Sequence, residues 1–187
     1  GNRSNPLSTY RTVAADQKHH SYGSRIYAPG LAGEEILGWE KPHDGYLWVA
    51  DTGGGIKGYL RFDVFVGTQK TYDWVMDLEN QQGKWKVPVE VEKLPGAPSG
   101  YSPKTDSGVR KILEKLGHLK GDSKAEVAEA LTAFQKQHHH IPEPEYGSAR
   151  GAITLWYLTQ AALKVAKGEP YDAVATGKRS GSINESE

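Results

Sequence analysis

A stretch rich in proline, glycine and serine divides this sequence into two parts with different hydrophobic periods. It runs Pro-Gly-Ala-Pro-Ser-Gly-Tyr-Ser-Pro from Pro95 to Pro103, a composition typical of a linker. Before it, apolar and polar residues alternate as they do in strands. After it, apolar residues recur at helical spacing. We therefore predict two domains, one over residues 1–95 and one over 105–168, joined by a linker over 96–104.

The first part contains five short segments of strand-like composition, each bounded by turn residues. In the clearest one, Leu60–Val66, alternation assigns Leu60, Phe62 and Val64 to one face and Arg61, Asp63 and Phe65 to the other. Short strands at this spacing indicate a small barrel or sandwich. The other four segments are Tyr10–Asp16, Ser24–Pro29, Tyr46–Ala50 and Lys84–Glu92.

Three amphipathic helices are predicted in the second part. Ser123 and Glu126 form a capping-box pattern at the start of the second helix, and the third is expected to begin near Ser148. Polar and small residues dominate after Gly168, so residues 169–187 are predicted to form a disordered tail. The apolar residues expected to be buried are Val109, Ile112, Leu113, Leu116 and Leu119, then Val127, Ala130, Leu131 and Phe134, then Ile153, Trp156 and Tyr157.

Composition excludes several classes of function. The chain has 23 Lys and Arg against 23 Asp and Glu, so no basic field favours nucleic acid. No apolar run approaches the roughly 18 residues that a membrane-spanning helix needs, and the polar start is unlike a signal peptide. The absence of cysteine excludes disulfides and thiolate chemistry. We expect a monomer with no nucleic-acid partner, no membrane span, no metal and no cofactor.

The strongest chemical signal is Asp51-Thr-Gly-Gly-Gly-Ile-Lys-Gly58, followed by Asp63. One strand would end at Asp51 and the next would carry Asp63, so a tight connection is expected to bring two carboxylates together. Crowded carboxylates raise one another's pKa, and a carboxyl group that stays protonated near neutral pH can act as a general acid. The alternative is an ordinary hairpin turn. A phosphate-binding loop is excluded because neither Gly-Lys-Ser/Thr nor a helix follows.

Four segments together resemble the 3D (three-aspartate) domain of membrane-bound lytic transglycosylase A and of stationary-phase survival proteins. Asp16, Asp51 and Asp63 match the order and spacing of the family's three aspartates, and the resemblance covers about residues 7–94. This chain departs from the family at His20-Ser-Tyr-Gly23, where Pro-x-Gly is usual. The segments are Val13-Ala-Ala-Asp16, Tyr22-Gly-Ser-Arg-Ile-Tyr27, Val49-Ala-Asp-Thr-Gly-Gly-Gly-Ile-Lys-Gly58 and Phe62-Asp-Val-Phe65.

The resemblance implies a double-psi β-barrel, here followed by a three-helix bundle, and a lytic transglycosylase acting on peptidoglycan glycan strands. Such an enzyme cleaves the MurNAc–GlcNAc β-1,4 bond and leaves 1,6-anhydromuramoyl ends. Asp63 stands where the family has its catalytic acid/base, and Asp51 and Asp16 would shape or polarise the site. One acid could suffice because the sugar's own C6 hydroxyl attacks, whereas ordinary glycosidases need two carboxylates. The expected location is the bacterial envelope (periplasm) or the exterior.

Several residues around these aspartates are candidates for substrate contact. The rings of Tyr10, Trp48 and Tyr59 could stack on sugars, although packing within the barrel is the alternative for each. Thr52, Gly53, Gly54 and Lys57 could orient the glycan. The histidines His19, His20 and His43 could touch the substrate, but we expect each of them in a solvated loop.

The helical part is similar to the three-helix peptidoglycan-binding domain, mainly in Leu116-Gly-His-Leu119 and Phe134-Gln135. The usual loop pattern is replaced by Gly121–Glu126. His138-His-His140 is interpreted as a helix end and loop, because consecutive residues of a helix face different directions. Two alternatives to an enzyme remain: a non-catalytic glycan-binding module, and a secretion-apparatus component that uses the same fold for docking.

Overall fold

The computed structural model divides into two compact units. The first comprises the described residues up to Pro95 together with 150–156, and the second comprises those from Gly96 to 138 and from Tyr157 onwards. A mixed sheet in the first unit and helices in the chain's second half fit the predicted two-domain layout. The double-psi form of the barrel stays a prediction. The structure describes residues 6–36, 38–67, 89–138, 150–173 and 176.

Five strands form one mixed sheet in the first unit. They are β1 (Thr12–Ala15), β2 (Arg25–Tyr27), β3 (Tyr46–Asp51), β4 (Phe62–Val64) and β5 (Glu90–Glu92). Their order across the sheet is β4-β1-β3-β2-β5. The β1 strand pairs in parallel with β3 and antiparallel with β4. The β2 strand runs antiparallel to both β3 and β5.

Each predicted strand segment contains or overlaps an observed strand, but the predicted pairing of two of the strands is wrong. We expected the strand that ends at Asp51 to lie beside the strand of Asp63, and β1 lies between the two instead. The reason is burial: Thr12, Val13 and Ala15 are all buried, and an apolar strand of this kind is most stable in the middle of a sheet. Residues 84–88 of the last predicted strand lie outside the described residues.

The alternation predicted for Leu60–Val66 holds only in part. Phe62 packs against the apolar core. Leu60 is 85% exposed, because it precedes β4 and the strand alternation does not reach it. Val64 is also exposed. The buried core of the sheet consists of Val13, Ala15, Ile26, Ala28, Leu31, Leu47 and Val49.

An ion pair between a buried arginine and a half-buried glutamate links β2 to β5 in the same unit. The Nη2 atom of Arg25 donates to Oε2 of Glu92 at 2.8 Å. The Arg25 guanidinium also lies over the rings of Tyr46, at 4.3 Å, and Trp156, at 4.7 Å. Two aromatic faces and one carboxylate therefore satisfy a cation that would be costly to bury alone.

Three helices follow the sheet, as predicted: α1 (Asp106–Lys115), α2 (Lys124–Lys136) and α3 (Ala152–Val165). Thr105 caps α1 by accepting the Gly108 N–H, and Ser123 and Glu126 form the expected capping box at α2. The predicted start near Ser148 lies outside the described residues, as do residues 174, 175 and 177–187 of the predicted tail. None of the described helices could cross a membrane.

His138, the first of three consecutive histidines, lies buried at the end of α2. Its ring stacks on Tyr157 at a centroid distance of 3.8 Å, and its Nε2 lies 2.8 Å from the Tyr171 hydroxyl. Burial raises the pKa of that tyrosine. His138 therefore belongs to the helical core, while His139 and His140 lie outside the described residues. Nowhere in the described part of the chain do three His, Asp or Glu side chains form a possible metal site.

Leu47 offers a test of the sheet core. It is buried in β3, and Leu47→Ala should lower the free energy of unfolding by about 2–5 kcal/mol because the lost methyl groups leave a cavity. The matched control, Leu60→Ala, removes the same atoms from an exposed position and should change stability by less than about 0.5 kcal/mol. Urea denaturation followed by circular dichroism measures both. Equal losses would contradict this description of the core.

Candidate functional site

Three aspartates lie at the same end of the sheet. Parallel strands end at the same edge, so the carboxyl ends of β1 and β3 lie together. Asp16 directly follows β1, and Asp51 is the last residue of β3. The antiparallel strand β4 begins at this edge, with Asp63 as its second residue. Sequence alone predicted these three residues as a group, and the fold brings them to the same edge.

The register fixes how Asp51 and Asp63 relate to each other. Ala14 of β1 is the partner of Asp51 on one side and of Asp63 on the other. Neighbouring strands lie about 4.8 Å apart, so the two aspartate Cα atoms are roughly 10 Å apart, with β1 between them. The predicted crowding of two carboxylates on adjacent strands is therefore wrong at the level of the backbone. The aspartates are level with each other but not neighbours.

Asp16 is a structural carboxylate. Its Oδ2 accepts the Gly58 N–H at 3.0 Å and its Oδ1 accepts the Lys18 N–H at 3.1 Å. These two backbone hydrogen bonds hold the pKa of Asp16 below its ordinary value, and the charges of His19 and Lys57 act in the same direction. Asp16 is thus ionised at neutral pH and has no proton to donate. Its role in shaping or polarising the site stays a prediction, and its bond to the Gly58 N–H holds the glycine-rich connection.

His20 holds the same connection one residue further along. The N–H groups of His19 and His20 both donate to the Asp16 carbonyl, which turns the chain back after β1. The His20 Nε2 lies 2.7 Å from the Tyr59 carbonyl, so this nitrogen carries the proton and donates it. The ring is only 1% exposed and packs against the rings of Tyr59 and Phe62 at 4.7 and 4.8 Å. Our expectation of a solvated loop is wrong for His20.

His43 is also buried rather than solvated. Its Nδ1 accepts the Gly45 N–H at 2.8 Å, and its Nε2 donates to the Tyr10 carbonyl at 2.7 Å. Trp39 stacks on the imidazole at 5.3 Å. Both ring nitrogens are occupied by the backbone, so His43 supports the fold and has no free nitrogen for a substrate. Of the three histidines, only His19 is exposed.

The glycines of the connection between β3 and β4 differ in how strongly the fold requires them. Gly58 has φ +92°, a left-handed conformation that other residues rarely adopt. A Cβ at Gly53 would lie 2.9 Å from the side chain of buried Ile56. A Cβ at Gly54 or Gly55 would meet no atom within 4 Å, and neither has positive φ. The fold therefore does not require glycine at these two exposed positions, which leave the backbone open to a ligand.

The start of the connection is ordered by local hydrogen bonds. Asp51 Oδ1 accepts the Thr52 N–H at 2.8 Å, and the Asp51 carbonyl accepts from Gln17 Nε2 at 3.4 Å. Asp51 is half-buried, whereas Thr52 and Lys57 are exposed. Thr52 and Lys57 are therefore open to solvent, and their role in orienting the glycan stays a prediction.

Asp63 is the accessible aspartate of the three, with 46% of its side chain exposed. Arg61 binds both of its oxygens: Nε donates to Oδ1 at 3.1 Å and Nη2 to Oδ2 at 3.3 Å. The Nη1 of Arg61 also donates to the Gly55 carbonyl at 3.1 Å. We assigned Arg61 no function from sequence, although alternation did assign it to the same face as Asp63.

Burial separates the three aromatic residues that could stack on sugars. Tyr59 is 56% exposed and meets the His19 ring edge-on at 6.0 Å. Trp48 is 0% exposed and Tyr10 only 5%, and burial raises the pKa of Tyr10 to about 12. Sugar stacking needs an open ring face, so Tyr10 and Trp48 cannot provide it in this structure. Their side chains belong to the packing of the sheet.

Residues 11–88 match the family model of the 3D domain, and the match includes Asp16, Asp51 and Asp63. The resemblance stated from the sequence is therefore confirmed for this region. The 3D domain family is associated with cell-wall proteins and is typically linked to enzymes that act on peptidoglycan. No curated protein matches the chain.

Asp16→Asn should destabilise the protein at neutral pH. Asparagine has one carbonyl oxygen, so either the Gly58 or the Lys18 N–H loses its acceptor. Because folding lowers the pKa of Asp16, its stabilising contribution is complete above the pKa of the unfolded chain, about 4. That contribution is lost as pH falls through the lower folded-state pKa.

The test for Asp16 is the melting temperature at a series of pH values. The variant should melt lower than wild type at pH 7, and the difference should shrink in acid below about pH 4. The control is Glu35→Gln, which neutralises an exposed carboxylate of the same unit. A constant difference at all pH values would show that the carboxylate charge plays no part.

His20→Leu should loosen the connection. The substitution keeps apolar bulk but removes the group that donates to the Tyr59 carbonyl, a loss of about 0.5–1.5 kcal/mol. Amide hydrogen exchange at residues 58–61 should become faster, while that of β2 should change less. His19→Leu, at an exposed neighbouring position, is the control. Unchanged exchange at 58–61 would contradict the role assigned to His20.

Proposed function

We propose that this protein is a peptidoglycan lytic transglycosylase in which Asp63 is the catalytic acid/base. The bond cleaved is the β-1,4 bond between MurNAc and GlcNAc, and the products carry 1,6-anhydromuramoyl ends. The observation that carries the proposal is an exposed aspartate, Asp63, at the start of β4 within a region that matches the 3D domain. The other two family aspartates lie at the same edge of the sheet.

The reaction needs one group that first donates and then accepts a proton. Asp63 in its acid form protonates the glycosidic oxygen as the bond to C1 of MurNAc breaks. The C6 hydroxyl of the same sugar then bonds to C1, and the Asp63 carboxylate takes the hydroxyl proton. The proton returns to Asp63 and no water is consumed. A single carboxylate is enough because the nucleophile belongs to the substrate.

The division of labour among the aspartates supports this assignment. Asp16 is buried and both of its oxygens accept backbone N–H groups, so it is unsuited to meet a glycosidic oxygen. Asp51 is half-buried and accepts the Thr52 N–H. Asp63 alone combines a large exposed fraction with a link, through Arg61, to the open glycine Gly55.

The surroundings of Asp63 offer surfaces of the kind that a sugar needs. Tyr59 has an exposed ring for stacking, and Thr52 and Lys57 are exposed polar groups on the same connection. A Cβ at Gly54 or Gly55 would meet no atom within 4 Å, so on that side a pyranose ring could approach the backbone closely. We propose these residues as the glycan contacts.

A non-catalytic glycan-binding module is the second candidate function. One observation favours it: Arg61 donates to both oxygens of Asp63, and these hydrogen bonds compete with a substrate for the carboxylate. A module of this kind would hold glycan against the same surface without breaking a bond.

The remaining assignments follow from the substrate. Peptidoglycan lies outside the cytoplasmic membrane, so we propose the bacterial envelope (periplasm) or the exterior as the place of action. We also propose that the helical unit assists by binding the wall. Its similarity to the peptidoglycan-binding domain in Leu116–Leu119 and Phe134–Gln135 supports that role.

The test is digestion of purified sacculi by wild type, Asp63→Asn and the control Glu35→Gln, with soluble products analysed by mass spectrometry. Wild type and the control should release muropeptides with 1,6-anhydromuramoyl ends. Asp63→Asn should reduce release roughly 10²- to 10⁴-fold, the range that general acid–base groups contribute. Its melting temperature should stay close to that of wild type because Asp63 is exposed.

Three other outcomes would contradict the proposal in different ways. Products with reducing MurNAc ends would indicate a hydrolase, because water would then be the nucleophile. Sacculus binding by wild type without any soluble product would favour the glycan-binding module. Equal release by wild type and Asp63→Asn would exclude Asp63 as the acid/base.

A further inference from the structure

Arg61 makes three hydrogen bonds that join two elements of the site. Two go to Asp63 on β4, from Nε at 3.1 Å and from Nη2 at 3.3 Å. The third goes from Nη1 to the Gly55 carbonyl at 3.1 Å. One side chain therefore connects the accessible aspartate to the open part of the glycine-rich connection.

Stability does not account for this arrangement. The side chains of Arg61 and Asp63 are 57% and 46% exposed, and an exposed ion pair contributes little to the stability of a fold. What the guanidinium provides is orientation. Its planar fork binds both carboxylate oxygens at once, which restricts rotation of the carboxylate in a way that a lysine ammonium cannot reproduce.

We propose that Arg61 is the positioning residue of the site. It holds the Asp63 carboxylate in one orientation and at a fixed position relative to the Gly55 carbonyl. This inference rests on the proposed function, because the orientation matters for chemistry only if Asp63 reacts with the glycan. Arg61 acts through Asp63 and is not itself a catalytic residue.

The connection gives Arg61 a firm support on its other side. Asp16 holds Gly58 and His20 holds Tyr59, so the chain on the C-terminal side of Gly55 is fixed by two hydrogen bonds. Buried Ile56 anchors the residue next to Gly55. The Gly55 carbonyl is therefore a fixed acceptor, and through Arg61 its position determines that of the Asp63 carboxylate.

Loss of the fork should affect turnover more than binding. An acid displaced by about 1 Å from its substrate can cost on the order of 10²-fold in rate. The proposed sugar contacts, Tyr59 and the open glycines, do not depend on Arg61 for their exposure. We therefore expect Arg61→Gln to lower kcat on the order of 10²-fold while leaving KM nearly unchanged.

The kinetic experiment compares Arg61→Gln, Arg61→Lys and the control Lys41→Gln on a soluble glycan substrate. Lys41 is an exposed cation of the same unit, away from the three aspartates in sequence, so its variant removes the same charge without removing a fork. Arg61→Lys keeps the charge and should recover only part of kcat. Full recovery by Arg61→Lys, an equal loss in Lys41→Gln, or a loss confined to KM would each overturn the inference.

A second readout does not depend on turnover. The Nε–H resonance of Arg61 should be detectable by NMR in wild type, with exchange slowed by its bond to Asp63, and should lose that protection in Asp63→Asn. Equal exchange in the two proteins would overturn the positioning role whatever the activity. The two proposals can also fail separately. If Asp63→Asn loses the protection but wild type releases no anhydro product, the Arg61–Asp63 link is supported and the proposed enzyme activity is refuted.

Discussion

The arrangement of the site depends on the insertion of β1 between β3 and β4. This strand pairs in parallel with β3 and antiparallel with β4, and its residue Ala14 is level with both Asp51 and Asp63. Without that pairing the two aspartates would lie on strands joined by a simple hairpin. With it, the connection from β3 must pass the carboxyl end of β1, where Asp16 lies. One backbone register thus determines where all three acidic residues are found.

A connection rich in glycine would be expected to move, yet several side-chain and backbone hydrogen bonds restrain this one. Asp16 holds Gly58, His20 holds Tyr59, and Arg61 holds Gly55. Asp16 and His20 belong to the turn that follows β1, so the strand that separates Asp51 from Asp63 also leads into two of these restraints. Glycine here allows the backbone to adopt an unusual conformation, and the hydrogen bonds hold it in that conformation.

The three aspartates have different environments and therefore different chemistry. Asp16 is buried, with a pKa lowered by backbone N–H groups, and it maintains structure. Asp51 closes a strand and orders the next residue. Asp63 is accessible and bound by a guanidinium fork, so its orientation is controlled while its surface stays open. Three like residues of one motif thus lie in three different environments, and we propose that only Asp63 reacts.

Sequence by itself determined the change of period after Pro95, all five strand segments, the three helices and the capping box at Ser123, because these depend on local spacing and on hydrogen bonds between near neighbours. Only the tertiary structure decided the strand order, since parallel pairing of β1 with β3 joins residues distant along the chain. Burial was likewise invisible in local pattern, which is why His20 was misjudged and why the choice between sugar stacking and packing stayed open for Tyr10 and Trp48. Arg61 shared a strand face with Asp63 from the start, but its link to Gly55 required the folded connection, whose path long-range hydrogen bonds fix.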